Sequence, residues 1–95
     1  MPAPRREDVE QSFPELAARV GDAIAWLEAI DPARFEGAEE RTVVRQARGQ
    51  EFAAPGIAYL LHHALPKFYF HVATAYAILR HEGAELRKGD YMGKI

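Results

Sequence analysis

The feature that most constrains this chain is the long apolar segment from Ile57 to Glu82. At about 100° per residue, one face of a helix through this segment is almost wholly apolar. That face holds Ile57, Leu60, Leu61, Ala64, Phe68, His71, Val72, Ala75, Ile78 and Leu79, with a second stripe of Leu65, Tyr69 and Tyr76, and with Phe70 and Ala77 opposite. A helix that is apolar on most sides is covered on most sides. The segment therefore predicts a helix that needs several neighbours, and Pro66 predicts a bend in it.

A second, amphipathic helix is predicted from Ser12 to Asp31. Ser12 and Glu15 have the spacing of a capping box, and Pro14 lies in the first turn, where its missing N–H costs nothing. Apolar residues then recur at steps of three and four, at Phe13, Leu16, Val20, Ala23, Leu27 and Ile30. The Asp31-Pro32 pair closes the helix, because a residue before proline avoids the α region.

A small β-hairpin is predicted between the helices, at residues 42–47 and 50–53. The first strand is rich in β-branched residues, and Arg48-Gly49 supplies a turn with a residue suited to positive φ. A two-stranded hairpin is marginal in water on its own, so it is expected to lean on the helices.

One amphipathic helix and one hairpin are too small to bury the apolar surface of the long helix. Additional helices are therefore expected to pack against it. We expect a mainly α protein, with two long helices plus a small β-hairpin, that forms half of a four-helix bundle completed by dimerisation. Residues 1–11 are expected to form a flexible leader and residues 12–95 a single helical domain. The expected partner is a second copy or a separately encoded other half.

Composition excludes several classes of partner. The 95 residues carry 12 basic and 14 acidic side chains, a net charge of −2, which argues against nucleic acid and an anionic membrane surface. Lys67 and the histidines lie inside the apolar segment, where polar groups are costly for a membrane span. The residues after Met1 contain no apolar run typical of a signal peptide, and cysteine is absent. These features favour a cytoplasmic protein.

Three runs within the long segment resemble a known family: residues 59–62, 65–71 and 74–80, followed by Gly83 and residues 88–93. They are similar to an uncharacterised bacterial branch of the DinB/YfiT-like superfamily, a domain of unknown function. The likeness runs from about residue 10 to the end and matches only the second half of such proteins. The resemblance implies a DinB-like four-helix bundle, of which this chain looks like a truncated or split member.

The resemblance also implies a divalent-metal site of three histidines, two of them at i and i+4 on the last helix. Carried onto this sequence, that pair falls at Lys67 and His71. His71 fits, but Lys67 replaces an expected ligand, because an ammonium has no lone pair to give a metal. His63 is a second candidate ligand, reaching a metal across a dimer. The expected metal is Zn, Ni or Mn.

Two functions remain open at the level of sequence. One is a non-catalytic, self-assembling module related to DinB-like proteins, in which Lys67, Phe68, Tyr69, Phe70 and Tyr76 form a pocket or an interface. The other is a metal-dependent enzyme of the DinB-like thiol transferase or hydrolase type, with its site completed by a second chain. No catalytic residue is assigned, since the chain has no cysteine, no phosphate-binding glycine loop and no nucleophile elbow.

Overall fold

The computed structural model describes residues 3–93, so Met1 and Pro2 of the predicted leader, and Lys94 and Ile95 of the tail, lie outside the described residues. The elements are α1 (Phe13–Glu28), β1 (Thr42–Ala47), β2 (Gln50–Pro55), α2 (Gly56–Tyr59), α3 (Leu65–His81) and α4 (Lys88–Met92). A 3₁₀ turn spans Pro32–Phe35, and a π-helical turn spans Leu60–Ala64 between α2 and α3. The prediction of a mainly helical chain with one small hairpin is confirmed.

Helix α1 begins as the sequence predicts and ends earlier. The Glu15 N–H donates to the Ser12 hydroxyl at 3.3 Å, and the Glu15 carboxylate accepts from the Gln11 N–H at 2.9 Å. The predicted end at Asp31 is wrong, because the helix stops at Glu28. The Asp31 carboxylate instead accepts from the Ala33 N–H at 3.0 Å and caps the 3₁₀ turn. The short polar side chain before Pro32 therefore starts a new turn rather than closing α1.

The segment before α1 is fastened to that helix by charge. Arg19 contacts Asp8 and Glu10, each at 2.9 Å, and Arg6 contacts Asp22 at 3.2 Å. A backbone hydrogen bond and the Arg19 guanidinium lower the pKa of the Glu10 carboxyl. These contacts join the described part of the leader to α1. The Arg6–Asp22 pair is exposed and contributes little to stability, whereas the Arg19–Glu10 pair is part-buried.

The hairpin has a regular antiparallel register in which Val43 pairs with Ala54 and Arg45 with Phe52. Both turn residues have positive φ, Arg48 at 52° and Gly49 at 75°, which suits a two-residue turn between twisted strands. β2 runs to Pro55, slightly beyond the predicted residue 53. Along β1, Val43, Arg45 and Ala47 are half-buried while their neighbours are exposed. One face of the hairpin is therefore covered, and that face carries an arginine.

The N-terminus of α2 is capped by backbone rather than by a side chain. The Gly56 N–H donates to the Arg41 carbonyl at 2.7 Å, and the Ile57 N–H donates to the Glu39 carbonyl at 3.0 Å. These bonds satisfy donors that a helix start leaves without partners. The approach is so close that a Cβ at Gly56 would overlap the carbonyl of Ala38. Glycine is thus required here for space.

Helical backbone continues from residue 56 to residue 81 and is interrupted by the π-helical turn. The Leu65 N–H reaches back to the Leu60 carbonyl, one residue further than in an α-helix. Pro66 follows at once and has no N–H to give to the His62 carbonyl. Pro66, which predicts a bend in the helix, thus lies just after the π-helical turn.

The end of α3 agrees with the predicted segment, which runs to Glu82. Gly83 has a φ of 103°, and the Ala84 N–H donates to the Leu79 carbonyl at 3.0 Å, which closes the helix. The polar tail forms a further short helix, α4. The rings of Tyr76 and Tyr91 lie 5.8 Å apart, edge to face, and fasten α4 to α3.

The chain divides into two compact units, one ending at Glu36 and the other starting at Gly37. Within residues 3–93, no side chain is fully buried. On α3, Phe68 and Phe70 are 59% and 65% exposed, and on α1 Phe13 is 87% exposed. The segment that the sequence predicts to be covered on most sides is therefore largely uncovered.

Candidate functional site

The long helix carries a concave apolar surface in which three basic residues follow one another at helical spacing. We call it the lateral groove; its volume is about 520 Å³ and its main lining residues are Tyr59, His63, Lys67, Phe68, His71 and Val72. His63, Lys67 and His71 succeed each other at steps of four, so they lie along one side of the helix. The groove brings together the two histidines and the lysine that the sequence singles out.

His63 is the most constrained of these side chains. Its ring is half-buried, its centroid lies 5.0 Å from that of Tyr59, and its Nε2 atom is covered with no hydrogen-bond partner among the described residues. Burial lowers the pKa of the imidazole, and the positive charges of Arg45 and Lys67 lower it further. The neutral ring is therefore favoured.

His71 and the predicted aromatic residues lie in more open positions. His71 is exposed on the groove, with its ring 5.4 Å from that of Phe70, and Phe68 and Tyr69 form a similar pair at 5.4 Å. Tyr76 is half-buried against Tyr91, and its hydroxyl is covered without a described partner. Of the predicted pocket residues, the structure brings Lys67 and Phe68 into the groove with the histidines, while Tyr69, Phe70 and Tyr76 line other sides of α3.

His63, Lys67 and His71 cannot together ligate one metal ion. His71 lies eight positions after His63, a helical rise of about 12 Å, whereas two nitrogens that bind one metal ion each lie about 2 Å from it. The residue between them, Lys67, is an ammonium without a lone pair. Within the described part of the chain, no three histidine, aspartate or glutamate side chains gather as a metal site. A metal at either histidine would need further ligands from outside the described residues.

A second concavity lies between the hairpin and the start of the long helix. We call it the hairpin pocket; its volume is about 300 Å³, and its lining includes Val43, Arg45, Phe52, Tyr59, His62 and His63. The guanidinium carbon of Arg45 lies 5.4 Å from the centre of the Phe52 ring, in a cation–π arrangement. The pocket is thus an apolar space with one fixed positive charge.

Sequence reasoning does not single out Arg45 as a site residue, and it considers Tyr59 only as one of several aromatic residues that could line a pocket. The step of four from Tyr59 to His63 was available as a signal that the two rings meet. The position of Arg45 was less accessible, because it depends on which face of the hairpin turns toward the helix. That choice is made by tertiary packing.

None of the helices in residues 3–93 combines the length and hydropathy of a bilayer-spanning segment. Among curated proteins, none matches the chain. A family model described as "Domain of unknown function (DUF1993)" matches residues 1–92. The crystal structure of a DinB family member protein from Shewanella denitrificans is similar to this chain with a TM-score of 0.84 and 38% sequence identity. That match covers 98% of this chain and 52% of the Shewanella chain, so this chain spans about half the length of that protein. The chain therefore belongs to the DUF1993 family, a DinB-like family of unknown function.

Proposed function

We propose that this chain is a non-catalytic, self-assembling helical module that pairs with a second copy to complete a DinB-like four-helix bundle. One observation carries the proposal: the long helix exposes most of its large apolar side chains. Ile78, Phe68 and Phe70 are 58%, 59% and 65% exposed. Covering a side chain of this size contributes about 1.5–3 kcal/mol, so a few such side chains suffice to favour association.

The related structure supports the same conclusion from a different direction. It is similar to nearly the whole of this chain, yet about half of its own length has no counterpart here. Two helices of this chain make half the complement of a four-helix bundle, and a second copy supplies the other half with the same surface on both sides.

Size-exclusion chromatography with light scattering tests the proposal over a range of protein concentrations. We expect about twice the 10.7 kDa chain mass at high concentration, with a shift toward monomer on dilution. Phe70→Asp is expected to weaken assembly and Phe70→Leu to preserve it, since only the first places a charge in the apolar interface. A monomer that unfolds cooperatively at every concentration would overturn the proposal. So would a monomer that becomes ordered only with a separately expressed helical fragment.

The same surface supports a second function, a divalent-metal-dependent DinB-like enzyme of the thiol transferase or hydrolase type. The observation in its favour is the unpartnered Nε2 of His63 in the groove that also carries His71. This chain's residues do not complete the donor set, so the second chain would have to contribute ligands. Metal analysis of the purified assembly, with thermal shifts on adding Zn, Ni or Mn, tests it. Loss of a metal-induced shift in both His63→Ala and His71→Ala would support it, whereas no shift in the unaltered protein would exclude it.

A further inference from the structure

The hairpin pocket holds a positive charge for which the described chain provides no counter-charge. Arg45 lies on the covered face of β1 and is half-buried. No carboxylate of the described residues forms an ion pair with its guanidinium, and no aspartate or glutamate lines the pocket. Withdrawing a cation from water is costly unless an anion or hydrogen-bond acceptor offsets the loss of solvation.

The remaining walls are apolar and aromatic. The guanidinium of Arg45 lies against the ring face of Phe52. Val43, three alanines and Tyr59 line the pocket with them, and His62 and His63 complete the lining. The volume of about 300 Å³ is at the lower end of the range for small-molecule sites and exceeds the space of a few waters. A site with one fixed guanidinium and apolar walls suits a ligand with one anionic end and an apolar body.

From this placement we infer that the hairpin pocket binds a small organic carboxylate, with Arg45 holding the carboxylate and Phe52, Val43 and Tyr59 contacting the apolar body. The planar guanidinium fork matches the two carboxylate oxygens. Burial lowers the pKa of the His63 imidazole, and the positive charges of Arg45 and Lys67 lower it further, so two cations act at this side of the pocket and would attract an anion. This inference is independent of the proposed assembly, because both walls of the pocket come from one chain.

Benzoate is the probe, followed by ¹⁵N–¹H NMR of the full chain. We expect saturable shifts at hairpin and α2 amides, and weaker binding by about tenfold or more in Arg45→Met, because a hydrogen bond to a charged group is lost. Arg48→Asn is the matched control: it removes an exposed arginine of the same hairpin and suits the positive φ there, so benzoate affinity should not change. Arg45→Lys keeps the charge without the fork and is expected to fall between the two, which separates loss of recognition from loss of folding.

Two further probes separate the parts of the inference. Benzamide has the ring without the charge, and inorganic phosphate has charge without an apolar body; both are expected to bind at least tenfold more weakly than benzoate. Equal binding of benzamide and benzoate, or of benzoate to the unaltered protein and Arg45→Met, would overturn the inference. Tighter binding of phosphate than of benzoate would contradict the proposed contacts between the ligand and the apolar walls of the pocket. If benzoate fails to bind and Arg45→Met instead disrupts self-association, the counter-charge of Arg45 comes from a partner protein and the small-molecule site is excluded.

Discussion

At the scale of single residues, a few positions are determined by contacts made across the hairpin unit. Gly56 is required because the carbonyl of Ala38 occupies the space that a Cβ would need. His63 is held against Tyr59 with one ring nitrogen covered. The need for glycine at position 56 follows only from the neighbouring segment, whereas the contact between Tyr59 and His63 also follows from their spacing of four on one helix.

Replacing Gly56 by alanine should destabilise the unit from Gly37 onward. The added methyl would meet backbone, which cannot move aside as a side chain can, so we expect a loss of about 1–3 kcal/mol in unfolding free energy. Gly21→Ala in α1 is the control: a Cβ there meets nothing, and alanine favours a helix by up to about 1 kcal/mol. Urea denaturation of both variants measures the difference, and equal effects would contradict the close contact at Gly56.

The His63 imidazole should titrate below its ordinary pKa of 6.5. Since the folded pKa is the lower one, the unfolded chain binds more protons between the two values. The stabilisation from His63 is therefore present above pH 6.5 and is lost as the pH falls through the folded pKa. NMR titration of the imidazole C–H signals checks the pKa.

Two variants test whether the environment of His63 causes the lowered pKa and the loss of stability in acid. Arg45→Met should raise the His63 pKa, because one of the two positive charges that lower it is removed. His63→Asn has no imidazole to protonate, so its unfolding free energy should fall less than that of the unaltered protein as the pH is lowered. A His63 pKa above 6.5 would contradict the described environment.

At the scale of elements, local sequence signals account for most boundaries. Ser12 starts α1, Arg48-Gly49 turns the hairpin and Gly83 ends α3, each through side-chain or φ preferences that act within a few residues. The departures also have local causes. Asp31 caps the 3₁₀ turn rather than closing α1, and Asp90 accepts from the Arg87 N–H at 2.8 Å to begin α4, an element that the sequence reasoning missed.

Ser12→Ala should shorten or destabilise α1 by about 1 kcal/mol, because the Glu15 N–H loses its acceptor. Ser12→Asp keeps an acceptor and adds a negative charge at the helix N-terminus, so it should retain full stability. Helical content and urea denaturation by circular dichroism measure both variants. An alanine variant as stable as the aspartate variant would mean that the Ser12 cap contributes nothing.

At the scale of the whole molecule, the exposed surface of the long helix is the main feature to explain. No side chain of residues 3–93 is fully buried, although the segment from Ile57 to Glu82 has the composition of a covered helix. The hydrophobic effect makes such a surface unfavourable in water, which is why the proposed function is assembly.

If assembly and folding are coupled, stability should depend on protein concentration. For a dimer that unfolds to monomers, a tenfold increase in concentration should add about 1.4 kcal/mol to the apparent unfolding free energy. Phe68→Asp should lower the unfolding free energy, because a charge disrupts the apolar contact. Phe68→Leu keeps the side chain apolar and should retain most of the stability of the unaltered protein. Urea midpoints that do not change with concentration would count against coupled assembly.

Two properties followed from the sequence by itself: the types and approximate limits of the main elements, and the breadth of the apolar surface on the long helix. Both rest on local preferences and periodicity, which act over a few residues. Only the tertiary structure decided that Arg45 turns inward against Phe52, that Gly56 touches Ala38, and that His63 is shared by the lateral groove and the hairpin pocket. These depend on the face by which the hairpin meets the long helix, and a pattern of alternating residues does not specify what lies opposite each face.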